Sequence, residues 1–348
     1  MDGFALLHQI GQAWDALSPI VGVALALLSV SLIALLGEVV TDPVTLEKGL
    51  KTTFFQAYDA ATPLYTLLAT EEPSNSDREK YGWLGSAPTM REWVDERIPK
   101  GLLDHDYTII NNHYEATLGI DKDDLEDDKL GQVRRRVQDM GNRTKRHPDS
   151  LLATLLTSGE TDLCYDGQAF FDTDHSEGSS GDQDNDLTAD ATDHTAVTQA
   201  EFVASYADAI EHMLGYVDDR GEPYLEEWDL NANNLLAVVP PELRNVALQT
   251  ANAAIISNTS NVYVNNFRVV TNSRLTNAAK WYLFYTGAPV KPFIFQQRGF
   301  NDGQNLHVGL LGDESDTGFM RKTWMFGVDG RYNMGYGLWQ YGVLYTFT

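Results

Sequence analysis

The order in which helical and strand-like patterns follow one another is the feature that most constrains this chain. Helical periodicity dominates the first two thirds. Leu46, Leu50, Phe54 and Tyr58 recur every four residues within 46–68, and Leu130, Val133, Val137 and Met140 share one face of a segment running to Lys145. Phe202, Tyr206, Ile210, Met213 and Val217 form an apolar stripe over 198–217, and a further helix is expected from about 242 to 256. Strand-like blocks gather later, at Leu235–Val239, 262–271, 281–286, 290–296, 324–328 and 332–347. No internal repeat is visible. Segregated helices and strands predict an α+β fold.

Composition narrows the functional classes. With 348 residues and 43% hydrophobic content, the chain can bury a substantial core. It carries 50 acidic against 25 basic residues, a formal net charge of -25. That balance disfavours a surface that grips nucleic acid, which needs clustered Lys and Arg, and favours weak, sliding contact with any nearby polyanion. The single cysteine, Cys164, excludes an intrachain disulfide and a multi-cysteine zinc site, so assembly in a cytosol is the expectation.

Residues 16–37 contain no charged side chain, a length close to a bilayer span. Asp2, Asp15 and Glu38 surround them and the first lysine is Lys48, so the basic flank of a signal peptide is missing. Three readings stay open: a membrane-contacting helix, an apolar arm buried between subunits, or a segment removed in maturation. Residues 71–80 read as a polar, turn-rich connection, and 107–120 as a two-stranded excursion with a turn near Asn111 and Asn112. Acids at 121–128 precede a helix whose surface carries Arg134, Arg135, Arg136, Arg143, Lys145 and Arg146. Residues 176–195, rich in Asp, Ser, Gly and Thr, read as a solvated, mobile loop.

The run Cys164-Tyr-Asp-Gly-Gln-Ala-Phe-Phe-Asp-Thr-Asp-His175 concentrates the residues of a metal or nucleophile site. Asp172, Asp174 and His175 suit a divalent ion, but the remaining histidines are scattered singly and no His-Glu-x-x-His pattern occurs. The competing reading is a turn reversed at Asp166 and Gly167 and anchored by Phe170 and Phe171. Asp182, Asp184 and Asp186 have the spacing of a calcium loop, yet Leu187 stands where the glycine is required and Asp193 where the glutamate is. No nucleophile elbow or phosphate-binding loop is present. Neither a catalytic set, a metal site nor a cofactor is expected.

Six blocks together resemble the major head subunit of Mu-like phages. They are Tyr81-Gly-Trp-Leu-Gly85, Met90-Arg-Glu-Trp93, Tyr114-Glu-Ala-Thr117 with the acids up to Asp128, the Cys164–Phe171 run with His175, Lys291-Pro-Phe-Ile-Phe-Gln296, and Gly335-Tyr-Gly-Leu-Trp-Gln340. Residues 1–45 find no counterpart, and 176–262 match only in general character. The resemblance implies the Hong Kong 97-type capsid fold and a virion shell. Its parts would be an arm at 46–101, an E-loop at 102–120, and a peripheral domain at 121–197 with a spine helix and the acidic loop. An axial domain would occupy 198–270, and 271–348 would return to the peripheral domain. It implies self-assembly into pentamers and hexamers around packaged DNA held by non-specific proximity, with portal and scaffold partners. Trp83, Arg91, Trp93, Arg134, Arg135 and Arg136 are then expected at subunit contacts. Two rivals are an encapsulin-like compartment, and an acidic binding protein anchored to a membrane through residues 16–37.

Overall fold

The structure is a computed structural model, and it describes residues 43–85, 93, 107–126, 130–256, 259–300, 304–313 and 315–348. The apolar residues 16–37, with their possible membrane contact, and Arg91 lie outside the described residues. Among those described, no helix is long and apolar enough to cross a membrane.

Helices are α1 (Pro43–Ala60), α2 (Tyr65–Leu68), α3 (Lys122–Glu126), α4 (Leu130–Arg146), α5 (Pro148–Ser158), α6 (Gln199–Gly215), α7 (Arg244–Asn252) and α8 (Asp316–Arg321). The first strands are β1 (Ala69–Ser74), β2 (Arg78–Lys80), β3 (Thr108–Ile110), β4 (Asn112–Asp121), β5 (Asp186–Ala189) and β6 (Leu235–Val239). They are followed by β7 (Ile255–Ile256), β8 (Thr259–Ser260), β9 (Arg268–Thr271) and β10 (Lys280–Tyr285). The last four are β11 (Phe293–Arg298), β12 (Leu306–Leu311), β13 (Thr323–Tyr336) and β14 (Gly342–Phe347). One five-stranded sheet runs β1-β11-β13-β12, with β4 also paired to β13; the other runs β5-β14-β10-β6-β9.

Three local expectations give way. Residues 71–80 form β1 and β2 instead of a turn-rich connection, because β1 pairs in parallel with β11 from Ala69↔Phe293 to Ser74↔Arg298. Its Pro73 is tolerated because β1 is an edge strand. The excursion at 107–120 does not pair with itself: β3 lies antiparallel to β2, and β4 joins β13. Asn111 and Asn112 lack the glycine of a two-residue hairpin turn, and the Asn111 side chain instead donates to Ser74 Oγ and the Ser76 carbonyl, at 2.8 and 2.9 Å. The acidic loop is tied down at both ends, by a His175↔Gln183 bridge and by β5 pairing in parallel with β14.

The chain divides into two compact units. Among the described residues, one holds 43–60, 116–142 and 308–328. There α1 buries Leu46, Leu50 and Phe54, while α4 buries Leu130, Val133, Val137 and Gly141. The two helices meet at Gly141, where a methyl group would stand 2.6 Å from the Phe54 carbonyl oxygen and 3.3 Å from Ala57 Cβ. The acid-first, base-last polarity expected over 121–145 is present, with Asp123 and Asp124 in α3 and Arg143, Lys145 and Arg146 ending α4.

The other unit holds 61–115, 143–307 and 329–348 and carries the larger core. Pro148 opens α5 at a position where its missing N–H costs nothing. A capping box starts α6: Thr198 accepts from Glu201 N, and the Glu201 carboxylate accepts from Thr198 N. All five residues of β6 are buried, as its unbroken run of aliphatic residues predicts.

Candidate functional site

The Cys164–His175 run follows α5 and folds back at once. Cys164 N donates to the Gln168 carbonyl at 2.8 Å, Gly167 N to the Cys164 carbonyl at 3.3 Å, and Leu163 bridges Ala169. Gly167 has φ of +90°, a conformation that strains any residue with a Cβ. Asp166 and Gly167 therefore reverse the chain, as the residue types indicate. Beyond the turn, Phe170 and Phe171 are fully buried; Phe170 stacks on Tyr336 at 4.7 Å and Phe171 lies 5.5 Å from Tyr282.

The turn gathers Cys164, Asp166 and His175, whose donor atoms all lie within 4.8 Å of one another. Asp166 is the hub. One oxygen accepts the Cys164 thiol at 3.0 Å and the Gln168 amide at 3.0 Å, and the other meets His175 Nδ1 at 2.7 Å. His175 is 0% exposed and lies flat on Trp339, with centroids 4.0 Å apart and planes 7° apart. Burial alone would raise the Asp166 pKa, but the hydrogen bonds from His175, Cys164 and Gln168 hold it below the usual carboxylate range. Burial, reinforced by the Asp166 charge, pushes the Cys164 thiol up. Such a thiol stays protonated at neutral pH and is a poor nucleophile or metal ligand. Asp166 ties Cys164 and His175 together inside the core and so acts as a clasp, although the buried His175 Nε2 has no hydrogen-bond partner.

The carboxylates suggested as metal ligands are employed locally. Asp172 accepts from Thr173 N at 2.7 Å and Asp174 from Gln168 Nε2 at 2.8 Å, so neither converges with His175. Asp184 caps the backbone at Asp186 N, 2.9 Å away, and Asp186 begins β5, so the 182–186 spacing belongs to a strand entry. Burial raises the Asp186 pKa to about 6, with Glu160 adding to the rise and Lys280 opposing it.

Residues to which sequence reasoning gave no role hold the clasp in place. Asn185, 0% exposed, donates to the carbonyls of Phe170 (2.9 Å) and Gly342 (3.1 Å) and accepts from Asp172 N (2.9 Å). Gln340 donates to Tyr165 Oη at 2.7 Å, and Gln296 accepts from Tyr81 Oη at 2.8 Å. Gln296 and Gln340 end two of the sequence blocks noted above, which was the only signal pointing to them. Four of the six blocks thus meet in one core: Tyr81 with Gln296, and Tyr165 and His175 with Gln340 and Trp339. A fifth contributes Tyr114, packed 4.6 Å from His147 and 4.8 Å from Tyr332.

The expected contact residues lie outward. Trp93 is 67% exposed, and Trp83 is exposed with one edge against Tyr81. Arg134, Arg135 and Arg136 are all exposed on α4, opposite its buried valines.

Comparison with known proteins agrees with this architecture. The family model described as Mu-like prophage major head subunit gpT matches residues 44–203 and 265–345. The major capsid protein of Escherichia phage Mu is 43% identical over 111 residues, 32% of this chain and 36% of that one. The Mu-like prophage FluMu major head subunit of Haemophilus influenzae is 25% identical over 276 residues, 79% of this chain and 64% of that one. The chain therefore spans less than two thirds of these curated relatives. Among solved structures, the procapsid of bacteriophage JBD30 is 26% identical with a TM-score of 0.51, over 88% of this chain and 76% of that one. The mature capsid of bacteriophage PhiM1, 12% identical with a TM-score of 0.51 over 82% of this chain and 87% of that one, shows the fold alone. The fold is the α+β Hong Kong 97-type fold of phage capsid proteins. With most of its length matched by that family model, the chain belongs to the Mu-like prophage major head subunit family.

Proposed function

We propose that this chain is the shell-forming subunit of a phage head, closing into an icosahedral container for double-stranded DNA. The observation that carries the reading is the convergence of the sequence blocks on one core, which makes them features of the shell fold instead of parts of an active site. Its role is mechanical, without catalysis. Copies form pentamers and hexamers in the host cytoplasm, and portal and scaffold proteins take part in closure.

Residues 46–101 serve as the N-terminal arm and 102–120 as the E-loop. Residues 121–197 and 271–348 form the peripheral domain and 198–270 the axial domain. Trp83, Arg91, Trp93 and Arg134–Arg136 meet neighbouring copies, and residues 16–37 serve as an apolar arm between copies, a membrane-contacting helix or a segment removed in maturation. Many modest contacts make a strong lattice, because apolar burial contributes about 25 cal/mol per Å² wherever arms and loops overlap. The net charge of -25 keeps the wall from adhering to the genome, so that DNA spools against it with only non-specific proximity.

Electron microscopy of the expressed full chain tests the reading. Closed shells of megadalton mass are expected. A stable monomer at high concentration overturns it.

A further inference from the structure

The connection between β12 and β13 is built in reverse of an ordinary surface helix. A short amphipathic helix turns its bulky apolar residues inward. In α8 it is Gly318 that faces in, so close to Gly312 that a methyl group would overlap the Gly312 carbonyl oxygen. Phe319 and Met320 face out, 86% and 79% exposed.

This outward display is rigidly held. Ser315 Oγ accepts from Gly318 N at 3.0 Å and donates to the Gly312 carbonyl at 2.7 Å. Lys322, in the left-handed conformation with φ of 51°, closes the helix through its N–H to the Gly318 carbonyl at 3.0 Å. Asp313 accepts from Lys122 Nζ and from Trp324 Nε1, each at 2.8 Å, and Lys122 N donates to the Lys322 carbonyl at 2.9 Å. An aromatic and a methionine displayed from a hydrogen-bonded backbone, which itself need not be ordered on docking, are what an anchor requires.

We propose that Phe319 and Met320 are an anchor that inserts into the surface of a second copy of this chain. Charge selects the occupant. The anchor is followed by Arg321 and Lys322, both exposed, on a molecule whose net charge is -25; Lys322 Nζ also lies 3.5 Å from Asp123 in an exposed, weakly held pair. The surface of another copy is acidic on average, so the basic pair complements it while the apolar pair is dehydrated. The proposal rests on the shell reading in that it requires copies to meet.

The test uses the full chain and its Phe319→Ser/Met320→Ser variant in parallel, read by sedimentation, electron microscopy and circular dichroism. Both side chains are exposed, so the variant is expected to keep the wild-type melting profile. Particle yield should fall about tenfold or more, with smaller oligomers accumulating. An Arg321→Glu/Lys322→Glu variant should show the same direction of change, partly reversed at about 0.5 M salt. Wild-type and both variant chains giving equal particle yields and equal resistance to dissociation overturns the anchor while leaving the shell reading standing. A wild-type chain that stays monomeric overturns both.

Discussion

Asn185 occupies the centre of a run so rich in Asp, Ser and Gly that its composition suggests only solvated coil, yet its side chain is the buried link between the Phe170 carbonyl, Asp172 N and the Gly342 carbonyl. Replacing it with alanine leaves two buried carbonyls and one N–H without partners. Asn185→Ala should therefore destabilise the subunit by about 2–4 kcal/mol, measured by urea denaturation followed through tryptophan fluorescence. Asp182→Ala, at an exposed position in the same loop, should stay within about 0.5 kcal/mol of wild type. Residue types alone indicated the reversal at Asp166 and Gly167 and the anchoring by Phe170 and Phe171. They could not reveal that Asp166 gathers both Cys164 and His175, because that depends on Trp339, remote in sequence, stacking on the histidine.

At the scale of elements, the α1–α4 contact gives a pair of predictions of opposite sign. Glycine in a helix costs up to about 1 kcal/mol relative to alanine, so removing one should help where space allows. At Gly131 nothing lies within 4 Å of an added methyl, and Gly131→Ala should stabilise by about 0.5 kcal/mol. At Gly141 the Phe54 carbonyl stands in the way, and Gly141→Ala should destabilise by about 1–3 kcal/mol despite the better propensity. Thermal melts of both variants beside wild type check the contrast. Helices were the more legible elements, because their apolar stripes are local: α4 and α6 fall where periodicity puts them. The helix read over 46–68 ends instead at Ala60, before Pro63, and resumes only as α2. β1 and β12 escaped notice, since Thr-Glu-Glu-Pro and a strand containing His307 and Gly309 become strands through their partners, not through their own propensity.

For the whole molecule, charge and burial combine into a pH profile with two limbs. Asp186, whose pKa burial and Glu160 raise to about 6, takes up its proton more readily folded than unfolded. Stability should consequently rise as pH falls from about 7 towards the ordinary carboxylate range. Asp166 has the opposite sign. So does Asp329, which burial would raise but which His113 and His307, each at 3.0 Å, hold below its usual range. Their contribution is present above the unfolded carboxylate pKa and is lost as pH falls through the folded values. The melting temperature should climb modestly between pH 7 and 5 and drop below about pH 4. Asp186→Asn should abolish the climb and add about 1 kcal/mol at pH 7.5, a figure reduced for solvent screening of this half-buried group. A variant that keeps the wild-type climb would move its origin to the general relief of the -25 charge. At this scale the sequence blocks announced a shell fold without indicating why they belong together; the reason is that residues remote in sequence share one core, and no pattern within a single block encodes that.

The placement of β14 between β5 and β10 also bears on synthesis. β5 leaves the ribosome long before the strand that will lie beside it, and β1 likewise waits for β11. Neither five-stranded sheet can close on a nascent chain that has not yet reached these late strands. A prematurely terminated copy would lack the middle of a sheet instead of an edge, leaving unpaired strand backbone exposed, and should be digested by a protease faster than the full chain.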